Sequence, residues 1–169
     1  MPRPDLKKVP VFFHQYIKQV EENEILTALQ DQAISFSKLL RKIPADKLNY
    51  RYAKGKWTIK EMVQHIIDTE RIFAYRALCI SRKESAPLPG FDENLYAANS
   101  KAGKRNWKEM LEEIKVVRAA TIFLYKSFDK NQMNAMGISN DYPISVLGIG
   151  FIIAGHINHH KKVLIERYL

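Results

Sequence analysis

The chain of 169 residues contains a single cysteine, Cys79. One thiol excludes an internal disulfide and a thiolate metal cluster, so any metal site in the chain must use histidine, aspartate or glutamate ligands. Cys79 lies in an apolar helical stretch, and the sequence places no activating base beside it. We therefore interpret it as a small core residue rather than a reactive thiol.

Long apolar runs and a secretory leader are also missing. No stretch approaches the ~20 apolar residues that cross a bilayer. The opening residues, MPRPDLKKVP, lack the apolar segment of a signal peptide. From the sequence we expect a cytoplasmic protein that does not bind membranes.

Acidic residues are scarcer than basic ones: 18 Asp and Glu against 27 Lys and Arg give a formal net charge of +9. The basic residues are scattered as singles and pairs, without a zinc-finger spacing, an arginine-rich arm or an RNP-type aromatic motif. Net charge alone indicates solubility and weak association rather than a site. An anionic small-molecule substrate fits the charge equally well, so nucleic acid is not favoured as a partner.

Apolar residues recur at threes and fours in separate segments, which predicts amphipathic helices. The predicted helices run from Glu24 to Ile43, from Thr58 to about Arg82, from about Trp107 to Phe128, and from about Ser145 to the end. Pro44 ends the first, and TIKE at 58–61 is a capping box that begins the second. With no convincing strand or repeat, we expect one all-α domain, a four-helix bundle spanning 1–169, in which 1–20 form an extended lead-in with a short helical turn.

Two connections of the predicted bundle are long. Residues 83–106 form a loop between the second and third helices, and loops of this length are often functional lids or packed walls. Residues 129–145 are predicted as a turn region. Because of these connections, a simple up-down-up-down order of the helices is not required.

Three of the five histidines lie in the stretch AGHINHHKKVL at 154–164. His156 and His160 are four residues apart, which places both imidazoles on one helix face. They share an apolar stripe with Ile149, Ile152, Ile153, Val163 and Leu164. His159 lies at the edge of that stripe, where it could contact a substrate or a metal ligand. Bundle metal sites take ligands from facing helices, and His65 on the second helix is the candidate third ligand.

The spacing is equally compatible with two interpretations of these histidines. One is a metal site built from His65, His156 and His160, because buried imidazoles need partners. The other is a satisfied core histidine in the second helix and a polar end to the last helix, where histidine suits the helix dipole. HINHH is not HExxH, so the built-in base of a zinc protease is absent.

Four charged residues interrupt the apolar face of the second helix in DTERIFAYR, residues 68–76. A functional interpretation makes Asp68 or Glu70 a partner that orients a histidine. It makes Arg71 or Arg76 a clamp for an anion. The interpretation that we favour for the stretch is a set of salt bridges between helix and loop, which are common on long helices.

Three sequence blocks together resemble the DinB/YfiT-like superfamily of metal-dependent enzymes. The blocks, in the family's order, are GKWTIKEMVQHIIDTERIFAYRAL (55–78), LPGFDENLY (88–96) and GHINHHKKVL (155–164). The resemblance covers nearly the whole chain from about residue 20. It implies a four-helix bundle with a metal held by one histidine of the second helix and two, spaced by four, of the last. The matching positions are His65, His156 and His160.

The resemblance defines the reaction less closely than it defines the fold and the metal ligands. Members with known activity are mostly S-transferases that use bacillithiol, mycothiol or glutathione, and others are named only as metal-dependent hydrolases. We expect a divalent ion, zinc or nickel, and conjugation of a low-molecular-weight thiol to an electrophilic small molecule. Transfer ranks first because no general base is evident beside the histidines, and a metal can ionise a thiol alone. Hydrolysis, or a non-catalytic metal-binding and dimerisation module, is the alternative. Family members often form homodimers, so a homodimer is expected here too.

Overall fold

A computed structural model describes residues 3–169 of the protein. Its helices and strands, in chain order, are α1 (His14–Ile17), α2 (Ile25–Leu40), α3 (Ile59–Ser81), α4 (Glu93–Asn99), α5 (Trp107–Lys126), α6 (Lys130–Asn134), β1 (Met136–Ser139), β2 (Tyr142–Ser145) and α7 (Val146–Arg167). The long helices α2, α3, α5 and α7 are the predicted ones, so the helical bundle is confirmed. In the part of the chain that the structure describes, no helix is both long and apolar enough to cross a membrane.

The long helices pack in an order that differs from their order in the chain. α7 packs between α2 and α3, and α5 packs against the same two helices. The consecutive pairs α2–α3 and α5–α7 therefore lie across the diagonals of the bundle, which their long connections allow. As a result α3 and α7, the two helices that carry the predicted metal ligands, are direct neighbours.

Hydrogen bonds at the helix starts confirm the predicted capping. The Thr58 hydroxyl accepts from the Glu61 amide at 3.1 Å, and the Glu61 carboxylate accepts from the Thr58 amide at 2.7 Å. The Ser145 hydroxyl accepts from the Gly148 amide at 3.0 Å and begins α7. These caps fix where α3 and α7 begin, and packing of their apolar faces turns the histidines toward the interior of the bundle.

Buried apolar side chains form two clusters, one toward each end of the bundle. On α3, for example, Phe73, Ala77 and Ile80 belong to one cluster, whereas Ile59 and Met62 belong to the other. The other three long helices divide in the same way. Polar side chains at the middle of the helices therefore form a layer between two apolar cores.

A closed ion pair occupies part of this polar layer. Arg118 Nε and Nη2 donate to the two oxygens of Glu70 at 2.8 and 2.9 Å. Arg118 Nη1 donates to the Leu29 carbonyl at 3.0 Å, so the pair ties α2, α3 and α5 together. A bidentate arrangement of this kind satisfies the charges that burial would otherwise penalise.

Residues 129–145 form α6 and a β-hairpin, so the prediction of a turn region without strands is wrong. β1 and β2 pair antiparallel, with Ser139 opposite Tyr142. The two turn residues, Asn140 and Asp141, have φ angles of 50° and 64°, as tight two-residue hairpin turns require. Asn and Asp are the non-glycine residues that adopt this conformation most readily. Strands of four residues are too short to show a clear alternating pattern in the sequence.

The hairpin holds the long loop between α3 and α5 in place. The Leu88 amide donates to the Ile138 carbonyl at 2.9 Å, and the Asn140 amide donates to the Leu88 carbonyl at 2.9 Å. The next residues pack tightly, because a Cβ on Gly90 would lie 1.9 Å from the Asn140 side-chain oxygen. This part of the loop is therefore a packed wall, one of the two structures expected for it.

The N-terminal segment contains the predicted short helical turn, α1, but the residues before it form turns rather than an extended lead-in. Two 3-10 turns, Leu6–Lys8 and Val11–Phe13, precede α1. The α1 backbone lies directly on α7: a Cβ on Gly155 would be 2.0 Å from the Tyr16 carbonyl oxygen, so only glycine fits. His14, the histidine left outside the predicted site, has its Nε2 3.0 and 2.9 Å from two backbone carbonyl oxygens of this segment.

Candidate metal centre

α3 and α7 bring the side chains of His65, His156 and His160 together in the polar layer. Nε2 of His156 lies 3.0 Å from Nε2 of His65 and 3.0 Å from Nε2 of His160. One nitrogen from each residue lies within 4.8 Å of the others, and all three side chains are buried. The structure thus assembles the three residues that the spacing and the resemblance selected.

The donor set fits a divalent cation. Nitrogens that each lie ~2.0–2.1 Å from a tetrahedral ion are about 3.3 Å apart, close to the observed separations. Without a cation, His156 Nε2 carries either one proton or one lone pair, so it can make only one well-formed hydrogen bond to the two nitrogens that it faces. A cation between the rings would satisfy all three Nε2 atoms at once.

Burial keeps the three imidazoles neutral, the state in which they can bind a metal. Desolvation, with repulsion from a neighbouring imidazole, lowers the pKa of His65 to about 4. The same causes hold the pKa values of His156 and His160 well below the usual imidazole value. Protons therefore do not compete strongly for this site at neutral pH.

Residues that the sequence analysis missed surround the imidazoles. The Thr69 hydroxyl lies 3.4 Å from Nδ1 of His65, one turn along α3. The ring centroid of Trp57 lies 4.6 Å from that of His65, and the Tyr16 centroid lies 5.6 Å from that of His156. The spacing of four between His65 and Thr69 was visible in the sequence. The contacts of Trp57 and Tyr16 depend on how distant segments pack.

Asp68 and Glu70, one of which could have oriented a histidine in the less favoured interpretation, have other partners. Both oxygens of Glu70 accept from Arg118, and Asp68 Oδ1 accepts from Gln64 Nε2 at 2.9 Å. Within residues 3–169, neither carboxylate hydrogen-bonds to a histidine. Arg71 is half exposed and pairs with a glutamate of α5 at 2.7 Å. The salt-bridge interpretation therefore describes Glu70 and Arg71, although their partners come from a helix rather than a loop.

Arg76 and His159 border the site. Arg76 is 4% exposed and lines the pocket that contains the histidines. His159 is half-buried, and its ring centroid lies 5.1 Å from that of His160 and 5.3 Å from that of Tyr16. It lies outside the three-nitrogen cluster, at the rim position that the sequence predicted.

The histidine cluster opens into a pocket of about 340 Å³. Its walls come from the N-terminal segment, α3, the loop after α3, the hairpin and α7. Arg76 and Glu93 supply charged side chains. Its aromatic lining consists of Phe12, Phe13, Tyr16, Trp57, Phe73 and Phe91. A larger surface groove of about 630 Å³ between α2 and α7 is lined by other residues and lies away from this chemistry.

Solved structures share this fold. YfiT from Bacillus subtilis, described as a probable metal-dependent hydrolase with an unusual four-helix bundle topology, superposes with a TM-score of 0.76 at 15% identity, over 98% of this chain and 90% of that chain. A mycothiol-dependent maleylpyruvate isomerase superposes with a TM-score of 0.68 at 10% identity, over 80% of this chain and 57% of that chain. At these identities the likeness establishes the fold alone.

Sequence comparison establishes the family. No curated protein sequence matches the chain significantly. The sequence profile of the DinB superfamily, however, matches residues 28–164, which contain all four long helices of the bundle except the ends of α2 and α7, and all three clustered histidines. The chain belongs to the DinB superfamily.

Proposed function

We propose that the protein is a metal-dependent enzyme that conjugates a low-molecular-weight thiol to an electrophilic small molecule. His65, His156 and His160 would hold a divalent ion, zinc or nickel. The observation that carries this proposal is the convergence of three buried, neutral imidazole nitrogens at the base of a pocket. Three protein ligands leave a coordination position open, as in catalytic rather than structural zinc sites.

The chain's own residues position the reaction. An ion held by His65, His156 and His160 would lower the pKa of a bound thiol or water and so make a nucleophile available at neutral pH. Thr69 and Trp57 hold the His65 ring, and the aromatic walls limit access of bulk water to the substrate. In the conjugation, the thiol sulfur forms the new S–C bond, the leaving group departs with its electron pair, and the thiol proton passes to solvent.

The structural neighbours support this choice only in general terms. The isomerase that shares the fold depends on mycothiol, which supports thiol chemistry in such a bundle. The description of YfiT supports a metal-dependent reaction of another kind. The low identities leave the choice between them to experiment.

Glu93 favours a second candidate, the hydrolysis of a small substrate. Its carboxylate lines the same pocket as the imidazoles, and together with burial it raises the pKa of Tyr16. A carboxylate in this pocket can act as a general base that accepts a proton from an attacking water. The sequence did not identify this base, because Glu93 reaches the pocket from α4, a short helix within the connection that was predicted as a loop.

Elemental analysis of protein purified without chelators or a histidine tag tests the metal site. We expect about one equivalent of zinc or nickel per chain in the wild type, and almost none in His160→Ala. His159→Ala is the matched control, since this neighbouring histidine lies outside the cluster and its loss should leave the metal content unchanged. Full metal content in His160→Ala would contradict the assignment.

Two assays on the metal-loaded protein separate transfer from hydrolysis. We expect conjugation of glutathione, bacillithiol or mycothiol to an aryl chloride, dependent on His160 and retained in Glu93→Gln. Hydrolysis of a chromogenic ester without added thiol, reduced ~100-fold in Glu93→Gln, would instead assign the second candidate. Neither activity in folded, metal-loaded protein would favour a non-catalytic binding module.

A further inference from the structure

We propose that Arg76 binds an anionic group of the substrate, so that the preferred substrates are elongated small molecules with an apolar or aromatic body and a carboxylate at one end. The inference rests on the proposed function for the reacting end of the molecule, which lies at the histidines. Recognition of the anionic end depends only on Arg76 and the pocket around it.

The guanidinium of Arg76 is buried without a countercharge. Its Nη2 donates to the Pro89 carbonyl at 2.6 Å. Its central carbon lies 5.3 Å from the ring centroid of Phe73 and 5.8 Å from that of Phe91. Among residues 3–169, no carboxylate oxygen lies within 4.0 Å of a guanidinium nitrogen of Arg76. A guanidinium has five N–H donors, so most of its bonding capacity is available to a ligand.

Arg118 shows how the same fold treats an arginine with a structural role. It is 2% exposed against 4% for Arg76, but three of its nitrogens have oxygen partners, two of them on the Glu70 carboxylate. Burial of an unpaired charge is costly, and desolvation lowers the pKa of Arg76. The fold thus pairs the buried charge of Arg118 with a carboxylate, whereas the guanidinium of Arg76 faces a pocket without one.

The position of Arg76 on α3 sets the shape of the ligand. His65, Thr69, Phe73 and Arg76 share one helix face and line the same pocket. The rise of the helix separates the Cα atoms of His65 and Arg76 by ~16 Å. Even with the Arg76 side chain leaning toward the histidines, a ligand that reaches both would be elongated and would pass Phe73, which lies between them on this face. A planar carboxylate suits the free edge of a guanidinium because it can accept two parallel hydrogen bonds.

Other charges of the protein also favour a ligand whose anionic end lies at Arg76. Glu93 is exposed where α4 begins, and its carboxylate would repel an anion placed near it. The net charge of +9 favours the approach of an anionic molecule to the protein as a whole. Arg76 is therefore the position in this pocket best suited to the anionic end.

The test compares phenylbutyrate with its neutral amide, phenylbutyramide, by calorimetric titration of zinc-loaded and zinc-free protein. We expect the wild type to bind the acid at least ~10-fold more tightly than the amide in both forms. Arg76→Gln should abolish this preference, and Arg76→Lys should reduce it ~3-fold, because lysine keeps the charge without the planar fork. Arg71→Gln, which alters the half-exposed arginine of the same helix, is the matched control and should leave it unchanged.

Three outcomes would overturn the proposal. The first is that the wild type binds the acid and the amide equally, or binds neither. The second is that folded Arg76→Gln keeps the preference for the acid. The third is that the preference is seen only with zinc, which would place the carboxylate on the metal. Circular dichroism verifies folding, and if Arg76→Gln does not fold, full retention of the preference in Arg76→Lys overturns the proposal instead. A failure to bind zinc would refute the proposed function but leave the zinc-free comparison intact.

Discussion

Two polar groups lie at similar depth in the middle of the bundle, and they differ in how completely their atoms are paired. Glu70 and Arg118 are 3% and 2% exposed, and the three clustered histidines are 7–8% exposed. In the ion pair, both carboxylate oxygens and three guanidinium nitrogens have partners. In the histidine cluster, three nitrogens face one another, and Nδ1 of His160 has no partner among the described residues.

This difference separates a structural group from a functional one better than burial does. A polar network whose members are all satisfied adds rigidity to a core. Polar atoms that remain unpaired beside a pocket are a cost to folding unless a ligand pairs with them. We therefore expect variants of the ion pair to change stability without changing metal binding, and variants around the histidines to change metal binding.

Breaking the ion pair should have the largest effect. Glu70→Gln leaves the charge of Arg118 buried and unpaired, and should lower the free energy of unfolding by about 3–5 kcal/mol. Removing both charges in Glu70→Leu/Arg118→Met should restore most of this loss. Chemical denaturation of zinc-free protein measures both variants. A loss below about 1 kcal/mol in the single variant would mean that the pair is not a closed, buried unit.

Acid should act mainly on the histidine cluster. An unfolded imidazole has a pKa near 6.5, whereas burial lowers that of His65 to about 4. Between these values the unfolded chain binds a proton that the folded chain does not, so zinc-free protein loses stability as the pH falls from about 6.5 toward 4. His65 should contribute on the order of 3 kcal/mol. His65→Gln should lose less stability than the wild type over this range in denaturation experiments, and equal losses would contradict the prediction.

The contact between α1 and α7 should be sensitive to a single methyl group. Gly155→Ala places a Cβ 2.0 Å from the Tyr16 carbonyl oxygen, so α1 must shift away from the histidines. We expect a loss of about 1–3 kcal/mol in the free energy of unfolding, together with weaker zinc binding. Gly103→Ala is the matched control, because its nearest neighbour would be 3.8 Å away, and it should change stability by less than about 1 kcal/mol. Equal effects of the two substitutions would argue against the close contact.

The smallest effect is expected from the hydroxyl beside His65. Thr69→Val keeps the shape of the side chain and removes the partner of Nδ1, so zinc affinity should fall about tenfold, the lower end of the range for such contacts. Competition with a chromogenic chelator measures this. Thr121→Val removes a buried hydroxyl that donates to the Val117 carbonyl instead, and should leave zinc affinity unchanged. If both variants bind zinc equally, Thr69 does not orient the ligand.

The sequence predicted what depends on local periodicity. The apolar stripe of α7 indicated that His156 and His160 point inward, and the capping box placed the start of α3 at Thr58. Bundle geometry selected His65 as the candidate third ligand but left a satisfied core histidine equally possible, and the family resemblance then favoured the metal site. The structure brings together the same three histidines that the spacing and the family resemblance had both selected.

The remaining parts of the site depend on contacts between distant segments. Tyr16, Trp57 and Glu93 reach the pocket from α1, from the residues before α3 and from the start of α4, and the sequences of these segments show no pattern pointing to the histidines. The hairpin was missed because its strands are four residues long and its turn uses Asn140 and Asp141 rather than glycine. Glu70 does not take the less favoured of its two roles, that of orienting a histidine, because Arg118, on another helix, donates to both of its oxygens.

The order in which the ribosome makes the chain also matters for the histidine cluster. His65 and His156 are separated by 91 residues, and the helix that carries His156 docks between two helices made much earlier. Until that helix has been synthesised, a nascent chain holds only one of the three clustered histidines, His65, which cannot retain an ion alone. An ion at the proposed site could therefore be retained only after α7 has been synthesised and has docked between α2 and α3.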